Sequence, residues 1–302
     1  MIYVAFYLLM ALAWLPLGVL YLLGDLLWPV VYHVVRYRRR VVDTNLRNAF
    51  PEKSDRERRH IARAYYRHMV DLLMEALYNL RTTPPQIKRH YRLKNREVVD
   101  RHYEQGRSVV LLSAHYNNWE YMVAGINMLL LHHGVGVGKP LEDKKIGKLI
   151  TQRRTRFGDE IVDQSNVRQV MDYYHRHHVP CAYMLLSDQS PNDVHKCYWT
   201  TFLHQETPFI YGGEHLARKY GYPVIYYEVH KIRRGQYEVV FEELCANAAE
   251  EPLYHIERQY IDRLEALLRR KPEYWLWSHR RWKRIRPSDM PLYDPNEHRD
   301  QP

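Results

Sequence analysis

Ser108-Val-Val-Leu-Leu-Ser-Ala-His-Tyr-Asn-Asn-Trp-Glu-Tyr-Met-Val-Ala-Gly-Ile-Asn-Met-Leu-Leu-Leu131 decides how the chain is read. Ser108 to Ala114 is an apolar run of strand length, and Trp119 to Leu131 has the apolar density and length of a helix. His115 therefore falls at a strand-to-helix turn. On one continuous helix, five residues at about 100° each would set His115 and Glu120 roughly 140° apart. With His115 on the turn and Glu120 in the first helical turn, the two side chains can meet. A carboxylate that holds one ring nitrogen fixes the tautomer and leaves the other nitrogen as a base for an alcohol. The same residues also read as a capping box, with Asn117 as N-cap and Glu120 at N3, and the local sequence leaves both readings open.

Working outward, the pattern of strand and helix repeats. Gly134-Val-Gly-Val-Gly138 reads as a strand, Lys144 to Phe157 as a basic helix, and Glu160-Ile-Val162 as a strand; Asn166 caps a helix through His178. Val179 to Leu186 is an apolar strand that ends in Ser187-Asp188-Gln189. A loop-rich stretch runs to Thr207-Pro208. A helix through Lys219, strands at Pro223 to His230 and Tyr237 to Leu244, a helix from Leu253 to Arg270 and a terminal element from Trp275 to Lys283 complete the chain. This order argues for an α/β fold with a central, largely parallel sheet flanked by helices. In such sheets the ligand crevice lies beyond the carboxyl ends of the strands. His115, Lys139-Pro140 and Asp188-Gln189 follow three strands, so they are expected to converge there.

The N-terminal region differs in kind. From Ile2 to Val35 there is no Lys or Arg, and Ile2 to Leu23 is long enough as a helix, about 33 Å, to span a hydrocarbon core of about 30 Å. Pro16, Gly18, Gly24-Asp25 and Pro29 could instead break the run into a buried hairpin. The basic n-region and small-residue end of a cleavable signal peptide are missing. Arg36, Arg38, Arg39 and Arg40 follow at once and hold the C-terminal side in the cytoplasm by the positive-inside tendency. Residues 1–40 thus read as a membrane anchor with a basic flank, and residues 41–302 as a single domain. Within it, Val41 to Pro51 holds a short helix. Ser54-Asp-Arg-Glu57 then opens a long amphipathic helix to about Leu80, with Ile61, Tyr65, Met69, Leu72, Leu73 and Leu77 on its apolar side.

Composition bounds the chemistry. Hydrophobic residues make up 46% of 302, enough for a real core, and the net charge of +10 implies an anionic partner. Three cysteines without C-x-x-C spacing indicate a reduced, cytosol-facing protein with neither a disulfide framework nor a zinc site. His132-His133 and His175-Arg-His-His178 lack acidic or cysteine partners at ligand spacing, so no metal is expected. No G-x-S-x-G elbow is present, which argues against a hydrolase of that type. The Lys and Arg residues are spread over the chain without an RNA-binding or helix-turn-helix signature, so no nucleic-acid partner is expected.

His115-Tyr-Asn-Asn-Trp-Glu120 resembles the H-x-x-x-x-D/E signature of the glycerolipid-type acyltransferases, and nearly the whole chain resembles the bacterial lipid A late acyltransferases of the lauroyl/myristoyl type. The resemblance rests on an ordered set: the N-terminal anchor, Asn45-Leu-Arg-Asn-Ala-Phe-Pro51, Arg153-Arg-Thr-Arg-Phe-Gly158, Asp188-Gln189 with Phe202 and Thr207, and Pro272-Glu-Tyr-Trp-Leu-Trp-Ser-His-Arg-Arg-Trp-Lys283. It implies a glycerolipid-acyltransferase-like fold and a membrane-bound O-acyltransferase with no cofactor. The donor would be acyl-acyl carrier protein and the acceptor a hydroxyl of a phosphorylated glycolipid, at the cytoplasmic face of the inner membrane. His115 would be the general base and Glu120 its orienting carboxylate. Arg154, with Arg156 as the alternative, would be the family's essential arginine, and Asp188, with Gln189 beside it, the second acidic position in the substrate-binding set. Tyr121, Met122 and Ile126 are candidates to line an acyl groove, with ordinary core packing as the favoured reading for each. The Tyr-Asn-Asn-Trp filling and 26 tyrosines depart from the better-known members and leave the acceptor open: a lysophospholipid or aminolipid is the alternative, and a non-enzymatic basic membrane-binding protein the reading from another class.

Overall fold

Residues 109 to 113 are apolar up to Ser113 and all five are buried, as expected of a strand covered on both faces. They form β2 (Val109–Ser113) in the computed structural model, which describes residues 9–139 and 144–294. Side chains alternate across a strand. Val110 and Leu112 enter one core, with Val42, Leu46, Tyr65, Leu216, Tyr260 and Leu264; Val109 and Leu111 enter the other, with Ile87, Tyr91, Tyr121, Met122 and Ile126.

Nine strands are present among the described residues: β1 (Tyr91–Leu93), β2, β3 (His133–Gly138), β4 (Glu160–Asp163), β5 (Cys181–Leu186), β6 (Tyr198–Phe202), β7 (Gln205–Phe209), β8 (Val224–Arg233) and β9 (Gln236–Cys245). Seven make one sheet in the order β1-β9-β8-β2-β5-β3-β4, parallel at every pairing except β8 with β9. Helices flank it: α1 (Leu17–Pro29), α2 (Arg39–Ala49), α3 (Asp55–Asn79), α4 (Pro84–His90), α5 (Glu97–Glu104), α6 (Glu120–Leu129), α7 (Lys144–Arg154), α8 (Val167–Arg176), α9 (Gly212–Tyr220) and α10 (His255–Arg270). The expected α/β architecture with a mostly parallel central sheet is what the chain adopts. The capping box at Ser54 and Glu57 forms as its spacing indicates and opens α3.

Three segments differ from expectation. The stretch expected as loop before Thr207-Pro208 contains the antiparallel hairpin of β6 and β7. Its two-residue turn places Leu203 and His204 at φ 46° and 63°, without the Asn or Gly that usually announces such a turn. The C-terminal stretch from Trp275 is neither helix nor strand. Side chains fix it instead: Asn45 Nδ2 donates to the Trp277 and His279 carbonyls, and Trp277 Nε1 donates to Pro272 O. The N-terminal apolar run is the third. Residues 1–8 of the expected Ile2–Leu23 span lie outside the described residues, and the helix is interrupted before Pro16. The continuous apolar helix runs Leu17–Val35, 19 residues, long and apolar enough to cross a membrane. Gly18, Gly24 and Pro29 sit inside it without breaking it, although after Pro29 it widens into a π turn over Val30–Val35.

Candidate active site

β2 and β5 are neighbours in parallel register, with Ser113 opposite Leu186, so the residues after each strand emerge side by side at the carboxyl edge. After Ser113 the chain folds tightly: the Tyr116 amide donates to Ala114 O over 2.7 Å, and Asn117 takes a left-handed conformation at φ 52°. That turn sets His115 at the strand end. Asn117 is not the cap of α6, because its Nδ2 donates to Val229 O at 2.6 Å. Asn118 serves instead: its Oδ1 accepts from the Tyr121 amide at 3.1 Å, and its Nδ2 donates to the buried Glu75 carboxylate. Glu75 also accepts from Tyr21 and Tyr237 and bolts the turn to α3.

The carboxylate that meets His115 is Asp188. His115 Nδ1 lies 2.7 Å from Asp188 Oδ1, while Asp188 Oδ2 accepts from the His115 amide at 3.0 Å and from Trp275 Nε1 at 2.7 Å. Burial alone would raise the Asp188 pKa, but the charge and hydrogen bonds of His115, with the Trp275 bond, outweigh it and hold the group below its ordinary value. An ionised Asp188 is acceptor-only, so His115 Nδ1 carries a proton, and in the neutral ring Nε2 is the nitrogen with the lone pair. Gln189 Nε2 donates to that lone pair at 3.1 Å. The ring packs edge-on against Trp119, with centroids 5.1 Å apart.

Glu120 is engaged elsewhere. Its Oε2 accepts from Arg154 Nε at 3.0 Å and its Oε1 from Arg154 Nη2 at 2.5 Å, a bidentate pair that joins the start of α6 to the end of α7. The expected contact of Glu120 with His115 is therefore replaced by Asp188 on one side and Arg154 on the other. The capping-box alternative is not realised either. Arg154 keeps Nη1 without a protein partner among the described residues. Arg156 instead spends Nη2 on Asn79 O, Thr82 O and Thr82 Oγ1, at 2.8, 3.1 and 2.9 Å, and Nη1 on Arg153 O. It ties α7 to the end of α3, and burial pushes its pKa down to about 10. Lys139 is exposed at the end of β3, and Pro140 lies outside the described residues.

A cavity of about 950 Å³ opens beside these groups. Met69, Leu72, Leu73 and Leu77 of α3 form one wall, Leu149 and Ile150 of α7 another, and Trp119, Glu120, Arg154 and Trp275 line it too; His115 and Asp188 stand behind Trp119 and Trp275, which they touch. Two buried polar atoms at its lining, Asn117 Oδ1 and His68 Nε2, have no partner among the described residues. Tyr121, Met122 and Ile126 face the sheet and belong to the core, the favoured of their two readings; α6 turns Glu120 and Ala124 to the cavity. The apolar face of α3 was readable as periodicity, but nothing in that period distinguishes a wall from a core. The bond of Trp275 to Asp188 has no local signal in the sequence. Among the described residues no three His, Cys, Asp or Glu side chains gather as a metal site requires.

His279 braces the loop that carries Asp188. Its Nε2 accepts from the Ser190 amide at 3.0 Å, and burial pushes its pKa from 6.5 down to about 4. The folded state prefers the neutral ring, so unfolded chains bind more protons between these two values. Its stabilisation is complete above pH 6.5 and is lost as pH falls toward 4. The melting temperature should drop by several degrees between pH 7 and pH 5, and His279→Gln should flatten that drop. An equal drop in the variant would show that other groups cause it.

An Asp-His pair thus stands at the sheet edge, packed against Trp119, and a Glu-Arg pair lines the apolar cavity that Trp119 also borders. The bacterial lipid A biosynthesis acyltransferase family matches this chain over residues 1–284. The chain is also 24% identical over 295 residues to the lipid A biosynthesis lauroyltransferase of Escherichia coli (strain K12), covering 93% of this chain and 94% of that protein. With the signature, the sheet-edge site and a match along nearly the whole sequence in agreement, the chain belongs to the bacterial lipid A biosynthesis acyltransferases.

Proposed function

We propose that the protein moves a fatty acyl chain from acyl-acyl carrier protein to a hydroxyl of a phosphorylated lipid A precursor at the cytoplasmic face of the inner membrane. The observation that carries this reading is the Asp188–His115 pair held against Trp119 and Trp275, which line the apolar cavity together with the Glu120–Arg154 pair.

The acceptor hydroxyl displaces Gln189 from His115 Nε2 and gives that nitrogen its proton. Its oxygen attacks the thioester carbonyl carbon, and the tetrahedral intermediate carries the charge on the former carbonyl oxygen. Arg154, aligned by Glu120 through Nε and Nη2, offers its Nη1 edge to that oxyanion. The carbon–sulfur bond breaks, and the imidazolium returns the proton to the departing thiolate. Atoms and charge balance without a covalent enzyme intermediate. The acyl chain lies in the cavity, whose size is within the ~300–1,000 Å³ of ligand pockets. Arg156 holds the framework of α7.

Detergent-solubilised protein incubated with acyl carrier thioester and a phosphorylated disaccharide lipid should yield an acceptor heavier by one acyl chain in mass spectrometry. Transfer to lysophospholipid or aminolipid with none to the disaccharide would replace the acceptor in this reading. No transfer to any of the three would overturn it.

A further inference from the structure

The apolar helix over residues 17–35 is tied along its length to α3. Before it, Trp14 lies against the Arg81 guanidinium, which is 4.5 Å from the ring centroid. Tyr21 donates to Glu75 at 2.7 Å, and Gly24 packs on Met74 and Val70, where a Cβ would come within 3.2 Å of Met74 Cγ. Asp25 pairs with Arg67 at 3.4 Å and with Arg234 of the β8–β9 hairpin at 2.8 Å. Tyr32 meets Tyr66 edge-on at 5.2 Å. Partner numbers fall on α3 as they rise on the apolar helix, so the two run antiparallel.

A helix that crosses a bilayer delivers its ends to opposite interfaces. This one has both ends and its middle fastened to one helix of the sheet domain. Crossing would carry Arg67, Asp71, Glu75 and Arg234 into hydrocarbon beside Asp25, which is costly for every charge involved. The face turned away from α3 is the reverse: Leu22, Leu26, Val30 and Val34, at four-residue spacing, are 65, 74, 43 and 73% exposed. Arg36, Arg38 and Arg40 are exposed immediately after it, placed for anionic lipid headgroups.

We propose that residues 17–35 lie in the plane of a single leaflet, with Leu22, Leu26, Val30 and Val34 dipped into it, and do not cross. This rests on the membrane location given under Proposed function. Val31 and Val35, next to that stripe, line the active-site cavity, so one helix is the border between leaflet and cavity. Lipid chains enter the cavity sideways along this border without passing through water.

The test uses the full chain, whose native cysteines are buried. Leu22→Cys, Leu26→Cys and Val34→Cys carry an environment-sensitive probe, and phosphatidylethanolamine/phosphatidylglycerol vesicles contain quenchers at graded depths. The in-plane arrangement gives all three probes a similar depth, about 5–10 Å below the headgroup boundary. A Leu26 probe near the bilayer centre, about 15 Å deep, with a shallow Val34 probe overturns it in favour of crossing and leaves the membrane location standing. No quenching at any position, with no vesicle binding, overturns both. Leu26→Asp should weaken vesicle binding about tenfold or more while transfer in detergent is unchanged. Unweakened binding overturns the proposal.

Discussion

Asp188→Asn should lower kcat by about 10³–10⁴-fold, the scale at which a wrong imidazole tautomer acts in carboxylate–histidine sites, while the protein stays folded. The geometry explains both halves. Oδ2 accepts from the His115 amide and from Trp275 Nε1, and the carbonyl oxygen of asparagine can keep both bonds. The amide nitrogen then occupies the place of Oδ1, 2.7 Å from His115 Nδ1, and donates to it. The ring must carry its proton on Nε2, where it cannot accept one from the acceptor hydroxyl. His115→Ala removes the proposed base outright and should reach at least the same loss. The check is single-turnover transfer from acyl carrier thioester, with thermal unfolding of each variant alongside. A folded Asp188→Asn enzyme within tenfold of wild type would remove His115 from the role of base.

Arg154→Ala should cost about 10²–10³-fold in kcat, the scale of a lost oxyanion donor, with kcat and kcat/KM falling together. Glu120→Gln should fall in the same direction by less, since it loosens Arg154 without deleting it. The Glu120–Arg154 pair is 25 and 32% exposed, so breaking it costs stability of only about 0–1 kcal/mol. If Arg154 clamps an acceptor phosphate instead, Arg154→Ala raises KM for the acceptor and spares kcat. If Glu120 itself orients the base, Glu120→Gln is as damaging as Asp188→Asn while Arg154→Ala is mild. Steady-state kinetics with the acceptor varied separates these three patterns.

These two experiments divide a site that the sequence presents as one motif. The spacing from His115 to Glu120, with a strand before it and a helix after it, correctly indicates that both leave the same turn. It does not say where each side chain points. The burial of Asn118 under Glu75 and the tight turn at Ala114 to Asn117 aim the imidazole along the sheet edge and the glutamate across α6. The partners that then meet them stand 73 and 34 residues away, Asp188 and Arg154. The same division holds in the fold. The run Val109 to Leu112 and the capping box at Ser54 were legible because each is decided by neighbours within one element. The β6–β7 hairpin and the stretch from Trp275 were not, since one turns at Leu203-His204 and the other is fixed by distant side chains.

By itself, the sequence determined the α/β class with its largely parallel sheet, the presence of an apolar N-terminal helix and an imidazole at a strand end, because these follow from local periodicity and the short reach of a turn. Only the tertiary structure decided which carboxylate meets His115, which arginine pairs with Glu120, and which apolar face borders a cavity. Those pairings join segments far apart in the chain, and side-chain hydrogen bonds discriminate over tenths of an ångström that no spacing of letters encodes.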